Sequence, residues 1–192
     1  MPLRTLWPAD DHLNVRKTLR EAFERLANLE EFVNVQDELF LRITEPEWGT
    51  RDVDVWTGWP RLRRMALYNP DAVLSFWESV GEMPMLESLV LTRADALEES
   101  CMKTPYFSRT QRPLKVIIAN VASDQPEMIP RGAWNTVDPC MKFRASFFNV
   151  PTSFYGDENP SELCKSWVKR AAIRGTLWDW EGLLLEGTTP ST

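Results

Sequence analysis

Leu62-Arg63-Arg64-Met65-Ala66-Leu67-Tyr68 and Leu86-Glu87-Ser88-Leu89-Val90-Leu91-Thr92 carry one phrase: an apolar residue, two polar ones, then an apolar/small/apolar alternation. Read as strands, such segments turn alternate residues inward. A parallel neighbour one repeat later buries the same positions again, so a single copy is unstable by itself. Leu29-Glu30-Glu31-Phe32-Val33-Asn34-Val35 is a third copy, and weaker ones begin at Leu3, Leu114 and Phe143. The phrases start at 3, 29, 62, 86, 114 and 143, hence 26, 33, 24, 28 and 29 residues apart. That lies close to the ~20–29 residues of leucine-rich repeats. The expected fold is α/β: a short, irregular leucine-rich-repeat-like solenoid with a parallel sheet of about six strands and helices on one face. Residues 1–186 form a single domain in this reading, and the polar stretch 187–192 a flexible tail.

Helical spacing fills the intervals that parallel strands need for their crossovers. Val15, Leu19, Ala22, Phe23 and Leu26 make one apolar stripe, with Asp10 or Asp11 as cap. Pro70 predicts a second helix to Val80, burying Val73, Leu74, Trp77 and Val80 and ending before Gly81. A third runs from Pro160 to about Ile173, buries Leu163, Trp167, Val168 and Ala171, and stops at Gly175. It is expected to close the end of the solenoid. Residues 42–58 and 100–112 are polar or irregular and are expected as surface insertions.

Composition removes several classes of function. The formal charge of −6 argues against a phosphate-neutralising surface, and the basic clusters Arg61–Arg64 and Lys165–Arg174 are short. No nucleic-acid partner is expected. No apolar run approaches the ~20 residues of a membrane span, so no membrane partner is expected and the chain is read as intracellular, cytoplasmic or nuclear. The thiols Cys101, Cys140 and Cys164 form no close pair, and His12 is the one histidine, so neither a metal site nor a Ser-His-Asp arrangement is expected. The eight glycines never approach a phosphate-binding loop, and no cofactor is expected.

The phrases Leu29–Leu39, Trp59–Pro70, Met83–Asp95 and Trp167–Gly182 resemble the repeat region of filamentous-fungal F-box proteins, over roughly residues 26–182. In that family an F-box docks on a ubiquitin-ligase adaptor and the repeats select a target. Here repeat-like sequence begins almost at Met1. The resemblance therefore implies a stand-alone recognition module, or the same scaffold turned to holding a small molecule.

At the downstream strand ends stand Gln36, Asp37 and Glu38, then Tyr68 and Asn69, then Thr92, Arg93 and Asp95, then Asn120. Parallel strands in register bring these groups to one rim, where open α/β sheets bind ligands. The same residue types also cap helices and satisfy turn amides. If the rim is catalytic, Asp37 or Asp95 serves as general acid or base, Arg93 stabilises negative charge and Tyr68 donates a hydrogen bond. Glu38, Asn69 and Asn120 are then ligand-binding candidates. So are Trp56 and Trp59, which with Trp7 and Trp48 fall in less regular segments, whereas Trp77 and Trp167 sit on helix faces. Trp178-Asp179-Trp180 is expected to fold back over the sheet. Two functions follow: a module binding a protein partner, or a cofactor-independent enzyme acting on a hydrophobic small molecule by cyclisation, dehydration or isomerisation.

Overall fold

The computed structural model describes residues 11–13, 15–36, 38–39, 41, 54–98, 101–121, 134–153 and 155–185. The phrase at Leu3, Asp10, Asp37, Trp7, Trp48, residues 42–53 and the tail lie outside them.

Five strands, β1 (Glu31–Val33), β2 (Arg64–Tyr68), β3 (Ser88–Thr92), β4 (Leu114–Asn120) and β5 (Phe143–Asn149), lie side by side in chain order and pair in parallel. A sixth, β6 (Leu183–Leu184), adds to β5 antiparallel. The expectation of a wholly parallel sheet is thus corrected: the chain returns directly from the last helix along the β5 edge. Glu31, Arg64, Ser88, Lys115 and Arg144 share one row, so the register advances by 33, 24, 27 and 29 residues. Leu62 and Leu86 lie in equivalent places, but Leu114 and Phe143 align with Glu87, one position later. The last two phrases therefore lack the leading apolar residue.

The helices do not all share a face. Met65, Leu67, Leu89, Leu91, Val116, Ile118, Ala145 and Phe147 point to a first layer. It contains α2 (Leu74–Glu82), α3 (Lys103–Phe107), α4 (Trp134–Val137) and the 3-10 turn η1 (Val55–Gly58), with Leu19 and Phe23 of α1 (Val15–Glu24) at its margin. Ala66, Val90, Ile117 and Ala119 point the other way, against α5 (Pro160–Arg174) and η2 (Leu177–Asp179). The expectation of helices on one face, with the last one closing an end, is corrected accordingly. Strands apolar at successive positions have two faces to bury.

Local signals account for most element ends. Asp11 accepts from the Val15 and Arg16 amides. Asn159 accepts from Ser161 and Glu162 N–H before Pro160-led α5, which Gly175 ends with φ 73°. The second helix starts at Leu74 instead of Pro70, because residues 70–72 extend the sheet: Asp95 N–H donates to Pro70 O, and Ala72 N–H to Asp95 O, each at 3.0 Å. In this register Leu74 faces solvent, 53% exposed, and Phe76 takes a buried place beside Trp77 and Val80. Residues 100–112 are not a surface insertion throughout, since α3 packs into the first core through buried Lys103, Pro105 and Tyr106. In the described part of 42–58, η1 buries Val55 and Trp56.

Among the described residues no helix is long and apolar enough to cross a membrane. No group of His, Cys, Asp and Glu among them is placed to hold a metal ion.

Candidate functional site

A left-handed residue follows β2 and β3 alike: Asn69 with φ 47° and Arg93 with φ 51°. Asparagine tolerates this conformation well, arginine less so. The backbone turns there are tied across the sheet, Asn69 N–H donating to Thr92 O at 2.7 Å and Arg93 N–H to Ala119 O at 3.1 Å. Beyond them Asp71 bridges to Asp95. The strand ends thereby form a stepped rim.

A cavity of about 350 Å³ opens at the β1–β2 end of this rim. Leu67, Phe76, Leu41 and Trp56 supply apolar wall, Trp56 and Phe76 meeting edge to face at 5.6 Å. Glu38, Asp54, Asp71 and Asp95 line it too, against the one guanidinium of Arg20 among the described residues. Arg20 is itself engaged, with Nε on Glu24 at 2.8 Å and Nη1 on Leu41 O at 3.5 Å. Asn69 Nδ2 donates to Glu38 Oε1 at 2.5 Å, fixing that carboxylate across the β1–β2 step. Among the described residues the cavity margin therefore carries more carboxylates than cations over a partly aromatic floor.

The rim candidates divide between two places. Glu38, Asn69, Asp95 and Trp56 line the cavity, and so does Tyr68, whose hydroxyl nevertheless shares a 2.5 Å hydrogen bond with Ser161 on α5. Lys165 Nζ lies 4.6 Å from the Tyr68 ring centre. Arg93 Nη1 donates to Asn120 Oδ1 at 3.1 Å, which also accepts from Val121 N–H. The Tyr68 hydroxyl and the Arg93 guanidinium are thus engaged on Ser161 and Asn120, while Asp95 lines the cavity. Trp59 is not on the rim: it is fully buried, donates Nε1–H to Phe23 O at 2.7 Å and packs on Phe23 and Phe32.

No protein-family model, no curated protein and no solved structure matches this chain.

Arg20, Asp54, Asp71 and Phe76 complete the cavity, and no reading of the rim anticipated them. Arg20 and Asp54 arrive from α1 and from the turn before η1, outside the phrase on which the rim was built. Asp71 comes from the extension at residues 70–72 after Asn69, which the sequence presents as the start of a helix.

Proposed function

We propose that the chain is a leucine-rich-repeat-like recognition module that binds a protein partner by taking one of its Lys or Arg side chains into the rim cavity. The observation that carries this reading is the pairing of Asp71 and Asp95 in the cavity's lining with Trp56 and Phe76 beside them, where the described residues supply one guanidinium, already engaged. Carboxylates complement a cation, and an aromatic face adds to that attraction. The regular advance of the strand register and the resemblance to F-box repeats support the repeat reading. Because α5 covers the second sheet face, recognition falls to the rim.

The alternative is a cofactor-independent enzyme for a small molecule. A cavity of about 350 Å³ is within the size range of ligand sites. The engagement of Tyr68 with Ser161 and of Arg93 with Asn120 weighs against a shared acid/base centre with Asp95.

The test is a titration of the purified protein with capped lysine-containing, arginine-containing and glutamate-containing peptides, read by tryptophan fluorescence at low and high salt. Saturable binding of the cationic peptides, reduced by salt and at least tenfold weaker in Asp71→Asn/Asp95→Asn, supports the module. Equal affinity for the glutamate-containing peptide, or no loss in the double variant, rejects it.

A further inference from the structure

The two layers flanking the sheet differ in what fills them. Trp59, Phe76, Trp77, Tyr106 and Phe143 pack the first. Beneath α5 lie Ala66, Val90, Ile117 and Ala119, met by Cys164, Val168, Ala171 and Leu177. The large side chains of this layer, Leu163, Trp167, Phe148, Trp178 and Trp180, are only partly buried against it. Burial stabilises in proportion to apolar area removed from water, so the second layer is held less firmly than the first. Among the described residues its polar and ring contacts to the sheet include Tyr68 to Ser161, Lys165 over the Tyr68 ring, Cys164 Sγ to Asn120 Oδ1 at 3.9 Å, Lys115 Nζ to Trp178 O at 3.0 Å, Trp178 Nε1 to Glu31 at 3.1 Å, and Trp180 stacked on Phe148 at 3.9 Å. Under the helix, the fully buried Thr92 hydroxyl finds no hydrogen-bond partner among the described residues. A hydroxyl so placed has lost water without replacement and regains it when the cover lifts.

α5 is also self-contained. Asn159 caps its start, Pro160 opens it and the left-handed Gly175 ends it, so its backbone ends are satisfied without the sheet. We infer that α5 and η2 form a strap that opens from the second sheet face as a unit while the sheet and its first layer stay folded. Local opening below the global unfolding free energy is expected where few large apolar contacts hold an element. Opening bares the row Ala66, Val90 and Ile117 and frees the Tyr68 hydroxyl from Ser161, while the cavity walls from α1, η1 and α2 stay in place, so the inference does not depend on what that cavity binds.

Cys164 reports the motion, because it lies fully buried on the inner face of α5. In Cys101→Ser/Cys140→Ser the Cys164 thiol is labelled with a maleimide in native buffer and in rising urea. The expected labelling is at least tenfold faster than global unfolding allows, nearly flat at low urea, and steep only where global unfolding takes over. Tyr68→Phe, which removes the Ser161 bond and keeps the ring, raises the native rate about threefold and lowers the urea midpoint only by that same small loss of native stability. Labelling that follows global unfolding at every urea concentration, or a native labelling rate unchanged in Tyr68→Phe, overturns the strap. Hydrogen-exchange mass spectrometry of the unaltered chain gives an independent reading: exchange in 163–174 faster than in β3 and β4 supports it, and equal protection overturns it.

Discussion

Asp138 is a carboxylate held in the first layer by three donors. Lys103 Nζ reaches it at 3.0 Å, and the backbone N–H groups of Lys142 and Phe143 at 2.8 and 2.9 Å. Both ionic partners are nearly excluded from solvent, and Lys103 also sits 4.9 Å from the centre of the Trp134 ring. Removing one member of such a pair strands the other charge in a low-dielectric site. Asp138→Ala is therefore expected to lower the unfolding free energy by about 3–5 kcal/mol, measured by urea denaturation. Lys103→Met/Asp138→Asn together is expected to cost less than the single change, because no unpaired charge remains. Nothing in the local sequence announces this pair, whose members are 35 residues apart. Tyr106 is a second case. Burial, opposed by Arg112 and helped by Asp138, raises its pKa above the ordinary 10.0, and its hydroxyl donates to Arg112 O. The folded state then holds the phenolic proton more tightly than the unfolded chain. Its contribution to stability is fully present below pH about 10 and is lost as pH rises through the higher folded value. Tyr106→Phe is expected to flatten the high-pH decline in the urea midpoint.

At the scale of elements, α2 and α3 approach each other through Gly81. A Cβ built there comes within 2.8 Å of Tyr106 O and 2.9 Å of Arg109 Cβ. Alanine is the better helix former by about 1 kcal/mol, but overpacking a close contact costs about 1–3 kcal/mol. Gly81→Ala is expected to be destabilising on balance, read as a lower thermal midpoint with α2 still helical by circular dichroism. The sequence presents this glycine as the residue that stops a helix, yet it lies inside α2, which runs to Glu82. α5 was legible almost to the residue, since Asn159-Pro160 and Gly175 are local signals that packing does not override. The start of α2 was not. Asn69-Pro70 looks the same before a helix as it does in a left-handed turn, and the parallel bridge from Asp71 to Asp95 decides between them.

Across the whole molecule, the larger of the two buried clusters lies on one side of the sheet. Trp77 is fully buried in the first layer, donates Nε1–H to Ala72 O at 2.9 Å and packs edge to face on Phe76 and Phe143. Trp77→Ala is expected to cost about 3–5 kcal/mol and to lower the urea midpoint of the entire sheet. Large aromatic side chains at Trp56, Trp59 and Trp77 serve that core, although their irregular flanks made the first two candidates for an outward-facing surface. Alternation alone could have found the second layer. Ala66, Val90, Ile117 and Ala119 are apolar at the positions turned away from the first core, as strands covered on both faces require.

The sequence by itself determined the five parallel strands to within about a residue, their order along the sheet, the last helix and the placing of rim residues at strand ends. These follow from periodicity, spacing and caps, which act over a few residues. Tertiary structure alone decided that α5 crosses to the second face, that β6 returns antiparallel, and that the polar groups of Tyr68 and Arg93 bond to Ser161 and Asn120. It also assembled the cavity, because Arg20, Glu38, Trp56 and Asp71 converge from separate elements, and only the packing of those elements against the sheet fixes their separation.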